Sequence, residues 1–321
     1  MKRLLTGIIS VIIFPMAMAQ PVDFPDKPVK ITVPVTPAGI LDQVARIVSP
    51  TLGEILGQTV VVENRPGASG NIAATYVARS NPDGYTLLAG YSMFHVGNPV
   101  MYKQLSWDPI KDFAPVAMLV VSPHVVAVNP AMPMQSLEAL VAYAKEHPGE
   151  LNYSSPGAGS VPHIGMELFK RRAGIEVTHI AYKGAGPAIQ DVLAGHVQMT
   201  VATPPSLASF VTAGTLRALA IASQDRIPLL PDVPTTAEAG YPGFELDAWV
   251  ALFAPQGTPA ETIAKLSSAV QQTLQTEAVR AALVNVGVQV RYMTPAQLDE
   301  QVRRDIDYWQ PVIREAGISI E

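Results

Sequence analysis

The 321-residue chain has no cysteine, which excludes disulfides, thiolate metal sites and anchoring through a lipid-modified cysteine. Its six histidines, at 95, 124, 147, 163, 179 and 196, show no paired metal-ligand spacing beside a carboxylate, so no metal is expected. Nucleotide signatures are missing as well: Gly184-Ala185-Gly186 has no third glycine to follow it, and Walker A is absent. The nearest approach to a nucleophile elbow, Gly67-Ala68-Ser69-Gly70-Asn71, has asparagine where the final glycine belongs. Neither a cofactor nor an enzyme is therefore expected. Basic residues are outnumbered, 22 against 27 acidic, a balance unsuited to nucleic acid. Beyond the N-terminus, no run approaches the ~20 continuous apolar residues of a membrane span.

What is present begins with an export signal. Lys2 and Arg3 precede an apolar run from Leu4 to Phe14, and Ala17-Met18-Ala19 follow as small residues suited to cleavage. Residues 1–19 thus read as a signal peptide and the remainder as a soluble periplasmic protein. Cleavage removes two basic residues and no acidic one, taking the formal charge from −5 to −7. An anionic ligand would have to be held by local donors, since the net field opposes it.

Past residue 19, apolar strand-like runs alternate with helically periodic stretches, the mark of an α/β protein with mainly parallel sheets. Strands are expected at 29–35, 59–63 and 85–89, with helices at 40–56 and 70–79 between them and a loop carrying Met93, His95 and Trp107 after them. The long apolar segment Phe113 to Val128 breaks at Pro123, and the proline-rich stretch Pro228 to Pro242 has no periodicity. These two crossings divide the chain into one lobe of residues 20–122 plus 227–321 and a second of residues 123–226. A cleft between the lobes is the natural ligand site, outside the strand carboxyl ends.

The stretch Leu151 to His163 reads as strand, Ser/Gly loop and helix start. Such a loop gathers backbone N–H groups beside a positive helix end, with the hydroxyls of Ser154, Ser155 and Ser160 close by. Gly157 and Gly159 give a ligand access to the backbone. It is a place to hold an anion, although Ser160 with Pro162 in the first turn equally reads as an ordinary helix cap. Matching loops follow the other strands. They carry Ala38, Gly39 and Asp42; Asn64 to Asn71; Ser92; Tyr182 and Lys183; and Thr203. Asp42 either caps its helix or contacts ligand. Arg65 pairs with a ligand carboxylate or with a surface acid, and Trp249 lines the cleft or packs in the core.

Phe24-Pro25-Asp26-Lys27-Pro28, Val33-Pro34 through Asp42, Val62 to Ala68, Asn81 to Leu87, the 151–163 loop with His163, Tyr182-Lys183-Gly184 and Ala254 to Pro259 follow one another along the chain. Taken in order, these segments carry a resemblance to the periplasmic substrate-binding proteins of tripartite tricarboxylate transporters, the Bug receptors. It implies a type II periplasmic-binding-protein fold, in which two α/β lobes joined by two crossovers close on a small organic acid. By position, Ser154, Ser155, Gly157, Ala158, Gly159 and Ser160 would hold one carboxylate, and Ala38 and Gly39 would face the other end. His163 would brace the loop. The implied partners are the membrane components of a tripartite transporter, with a sensor kinase as the alternative, and the receptor would act as a monomer. One departure stands out: Ala38 replaces the family's first loop glycine and is followed by Ile40 and Leu41, which narrows that wall and makes it less polar. This points to an acid with an apolar or aromatic body and away from citrate.

Overall fold

A computed structural model of the chain describes residues 24–37, 39–182 and 184–319. The expected signal peptide lies outside the described residues, as do Ala38 and Lys183 of the candidate ligand contacts. The first stretch comprises β1 (Val29–Val33), α1 (Ile40–Leu56), β2 (Val60–Asn64), α2 (Asn71–Ala78), β3 (Thr86–Tyr91), α3 (Ser92–Met101) and β4 (Phe113–Ser122). The chain then continues through β5 (Val125–Val128), α4 (Leu137–Glu146), β6 (Asn152–Ser155), α5 (Val161–Ala173), β7 (Thr178–Ala181), α6 (Ala185–Leu193), β8 (Met199–Ala202), α7 (Pro204–Thr212) and β9 (Arg217–Ile221). It returns as β10 (Ala248–Pro255), α8 (Ala260–Gln275), α9 (Glu277–Asn285), β11 (Gln289–Met293) and α10 (Pro295–Glu315).

Two sheets result, ordered β11-β4-β10-β3-β1-β2 and β7-β6-β8-β5-β9. They are mixed, where mainly parallel sheets were expected. β1 pairs parallel with β2 and β3, and β6 with β7 and β8, but β10 runs antiparallel to both β3 and β4, and β5 to both β8 and β9. The reason is connectivity. Each of β5 and β10 begins where the chain arrives from the other lobe, at the end where the βα strands finish, so it must run away from that end. β4 and β10 are buried along most of their length, which explains their nearly unbroken apolar sequence.

α3 corrects a second expectation, since a loop was anticipated there. Gly97 and Pro99 read as helix breakers, yet burial overrides propensity. Phe94, His95, Val96, Asn98 and Met101 are all buried, and Met101 packs with Val312 and Ile313 of α10. The same helix α10 reaches the other lobe, where Ile164 joins that cluster and Glu315 pairs with Arg171 at 2.6 Å.

The two crossings are tied to each other. Nδ1 of His124, in the first, lies 2.7 Å from the carbonyl of Leu246, in the second; a carbonyl only accepts, so Nδ1 carries the proton. His95 likewise donates from Nε2 to the carbonyl of Pro109 at 3.1 Å and stacks on Phe253 at 4.2 Å. Burial pushes both imidazoles down to about 4.

A histidine held below its ordinary value is neutral when folded and takes up a proton when unfolded. Stability from these two residues is therefore complete above pH 6.5 and is lost as pH falls toward 4, by up to roughly 3 kcal/mol each. Denaturant titrations between pH 7.5 and 4.5 should show this decline. His124→Asn, which keeps a donor toward Leu246 without titrating, should flatten it; an unchanged slope would contradict the assignment.

Candidate functional site

Both crossings join the sheets at the carboxyl ends of β1, β3, β6 and β8, so the loops after these strands face one another. The loop between β6 and α5 is held by several bonds of its own. Ser160 caps α5: its Oγ accepts from the N–H of His163 at 3.4 Å and donates to the carbonyl of Gly157 at 2.7 Å. Gly157 N–H donates to Ser155 Oγ at 3.2 Å, and Gly159 N–H donates to Nδ1 of His163 at 3.0 Å. Gly159 has φ of 75° and Gly157 of 151°, conformations that side chains oppose. After these bonds are made, among the described residues nothing accepts from the N–H groups of Ala158 and Val161. Two backbone donors thus remain at the positive end of a 13-residue helix.

Beneath the loop lies a pair of stacked imidazoles, His163 and His179, with centroids 3.9 Å apart and planes 13° off parallel. His179 Nε2 sits 2.7 Å from Ser155 Oγ, so it holds the hydroxyl that receives Gly157 N–H. Glu167 accepts from Tyr153 at 3.0 Å and from Lys170 at 2.8 Å, closing off the far side. Burial lowers the pKa of both histidines, that of His179 to about 4. At neutral pH they form an uncharged stack. Sequence reasoning missed His179, because only the parallel register Tyr153↔His179 carries it under the loop.

The remaining candidates occupy diverse positions. Ser154 is wholly buried and donates to the carbonyl of Ala188 at 3.0 Å, which ties α6 to β6. Gly39 caps α1, and the buried Asp42 accepts from Arg46 at 3.0 Å and from Asn64 Nδ2 at 2.8 Å. Asn64 Nδ2 also reaches the carbonyl of Val35 at 3.0 Å, so this carboxylate braces the loop between β1 and α1. Ser92 opens α3, buried, with no hydrogen-bond partner for its Oγ among the described residues. The Tyr182 hydroxyl donates to Asp191 at 2.5 Å, and Thr203 Oγ1 lies 3.1 Å from Ser206 Oγ. Arg65 pairs with Glu63 at 2.6 Å and stacks over Tyr76, while Trp249 is buried and donates to Asp305 at 2.6 Å.

Ser69, inside the Asn64 to Asn71 loop but not singled out from the sequence, belongs to a run of four residues with positive φ from Gly67 to Gly70. Tyr102 and Asn98 of the α3 region clamp it, donating to its hydroxyl at 2.7 Å and its carbonyl at 3.0 Å. The composition Pro66-Gly67-Ala68-Ser69-Gly70 signals a turn, but nothing in it signals left-handed alanine and serine.

A separate cavity of about 270 Å³ lies between β11, α10 and the second crossing. Glu245, Asp247 and Asp305 line it against a single cation, Arg291, and burial lifts Asp247 to about 6. Its charge is wrong for an acid.

A protein-family model described as "Tripartite tricarboxylate transporter family receptor" matches residues 44–318. The chain belongs to this receptor family. Protein BugT of Bordetella pertussis is 38% identical to this receptor, over 100% of this chain and 99% of its own. Among solved structures, Rpa4515 of R. palustris with adipate shares 36% identity and superposes with a TM-score of 0.78, covering 92% of this chain and 99% of that one. MatC of Rhodopseudomonas palustris with bound malate shares 35% identity at a TM-score of 0.74, covering 90% and 100%. The receptor thus has the two-lobed fold of periplasmic binding proteins, and the relatives of known structure are binding proteins.

In this receptor burial holds the pKa of His163 below its ordinary value, so its Nδ1 should remain an acceptor at neutral pH. Further acidification places a proton on that nitrogen and leaves Gly159 N–H facing another donor. Nuclear magnetic resonance should show Gly159 amide exchange accelerating as His163 titrates. In His163→Asn, which offers a carbonyl oxygen in place of Nδ1, exchange should no longer follow that titration; exchange that tracks it still would argue against the bond.

Proposed function

We propose that this receptor captures a small organic acid in the periplasm and hands it to the membrane components of a tripartite transporter. One observation carries the reading: the paired, unsatisfied N–H groups of Ala158 and Val161 at the start of α5, exposed or half-exposed beside a pinned glycine loop. A carboxylate there gains charge-assisted hydrogen bonds of roughly 1.5–3 kcal/mol each, added to the helix dipole. No lysine or arginine is required, which suits a mature chain of net charge −7. The carboxylates bound in the adipate and malate complexes of related proteins support the same chemistry.

In this reading Ser155, Gly157, Ala158, Gly159, Ser160 and His163 build the carboxylate half of the cleft. Ser154 supports it from behind through α6. Ala38, Gly39 and Ser92 face the ligand's other end, with Asp42 fixing the position of Gly39. Tyr182, Lys183 and Thr203 border the mouth. The bound acid touches both lobes and so favours the closed form over the open one. Export by residues 1–19 places the protein where such a receptor works. Ala38 in place of glycine and the half-buried Ile40 make the opposite wall less polar, which selects an acid with an apolar or aromatic body; Leu41, expected beside them, packs into the core of its own lobe instead.

Calorimetric titration with benzoate-like acids, aliphatic dicarboxylates including adipate, and citrate tests the reading. Acids of the first two kinds should bind and citrate should not; preferential citrate binding would overturn the assignment of the wall. Gly159→Val combines a disfavoured φ with a blocked approach to the loop and should weaken binding by about 100-fold, or about 2.7 kcal/mol. Unchanged affinity would move the carboxylate elsewhere.

A further inference from the structure

Away from the crossings the two lobes meet through α10 against α5 and, separately, at a second contact. Gly287 lies in the turn from α9 to β11, and Pro205 is in the first turn of α7. Both flank the cleft: Pro205 follows the carboxyl end of β8, and β11 begins opposite Val121, at the carboxyl end of β4. A Cβ built on Gly287 would stand 2.0 Å from Pro205 Cγ, 2.7 Å from its Cδ and 3.2 Å from its Cβ. A proline ring cannot rotate out of the way.

Gly287 has an ordinary reason to be glycine, since it ends α9 with φ of 74° and donates to the carbonyl of Val284 at 2.8 Å. Four other glycines end helices with φ between 65° and 71°, namely Gly57, Gly174, Gly214 and Gly317. A Cβ on any of these would meet nothing within 4 Å. Among these helix-ending glycines steric confinement is thus particular to Gly287, and it comes from the other lobe. Beside the contact, Ile227, Pro228 and Leu229 face Val284, Val288 and Val290 across an apolar groove of about 180 Å³. An unfilled groove adheres weakly, so the lobes are spaced here by a hard contact rather than by packing.

We infer that Gly287 and Pro205 form the stop at which the lobes come to rest, and that the missing side chain at 287 sets how far the cleft closes on its ligand. The inference rests on the proposed closure over an acid, but its geometry does not depend on which acid binds. Any side chain at 287 must push the ring from 2.0 Å to ordinary contact at 3.4 Å or beyond, opening the rim by at least 1.4 Å. Donors on one lobe then lose their partners on the other.

Four variants test it: Gly287→Ala, Pro205→Ala, the two combined, and Gly317→Ala, which carries the same backbone strain in open space. Residual dipolar couplings on the ligand-free protein report the angle between the lobes, and calorimetry with adipate reports affinity. Gly287→Ala should rotate the lobes apart and weaken adipate about tenfold, while the double variant, lacking Pro205 Cγ and Cδ, should restore both. Gly317→Ala should change neither. The stop is refuted if Gly287→Ala matches Gly317→Ala in lobe angle, or if Pro205→Ala fails to restore it. Should adipate not bind the unaltered protein, the couplings alone still decide the stop, and the failure falls on the ligand reading.

Discussion

The hydrogen bond from Gly159 N–H to Nδ1 of His163 decides which donors remain at the start of α5. With Gly159 turned inward, Gly157 N–H spent on Ser155 and Ser160 spent on capping, the N–H groups of Ala158 and Val161 are the ones left over. The arrangement holds only while the imidazole is neutral, and burial against His179 keeps it so. A loop that consumes its own acceptors in this way can receive an anion without any cationic side chain. For a chain whose acidic residues outnumber its basic ones, that is the available route to binding an acid.

The rest of the molecule serves to bring a second wall to this loop. Two crossings, linked through His124 and Leu246, make the sheets mixed and turn the carboxyl ends of their βα strands toward each other. α10 spans both lobes through Ile164 and Arg171. Across the cleft, Asp42 spends its charge on Arg46 and Asn64, which fixes the turn after β1 and leaves that side short of free carboxylates. The two sides are therefore unlike: one offers backbone donors, the other a braced turn whose charge is already paired and whose Leu41 packs into the core.

Much of this was legible in the residues. The spacing of Leu41, Val44, Ala45, Val48, Leu52 and Leu56 specifies α1 to its ends, and Gly57 stops it. Pro123 marks the first crossing, and the Ser/Gly loop before His163 announces a helix start with spare donors. What escaped depended on tertiary contact. α3 forms despite Gly97 and Pro99 because α10 covers it; the antiparallel run of β5 and β10 follows from where the chain enters each sheet. His179 reaches the loop only through strand register, and the separate functions of Ser154 and Ser155, adjacent in sequence, follow from the opposite faces of β6.

The most direct measurement is a crystal structure of the mature protein grown with an acid that calorimetry shows to bind. The account requires one carboxylate oxygen about 3 Å from the backbone nitrogens of Ala158 and Val161, with Gly159 N–H still bonded to His163. A carboxylate held elsewhere, with both nitrogens left to water, would contradict it.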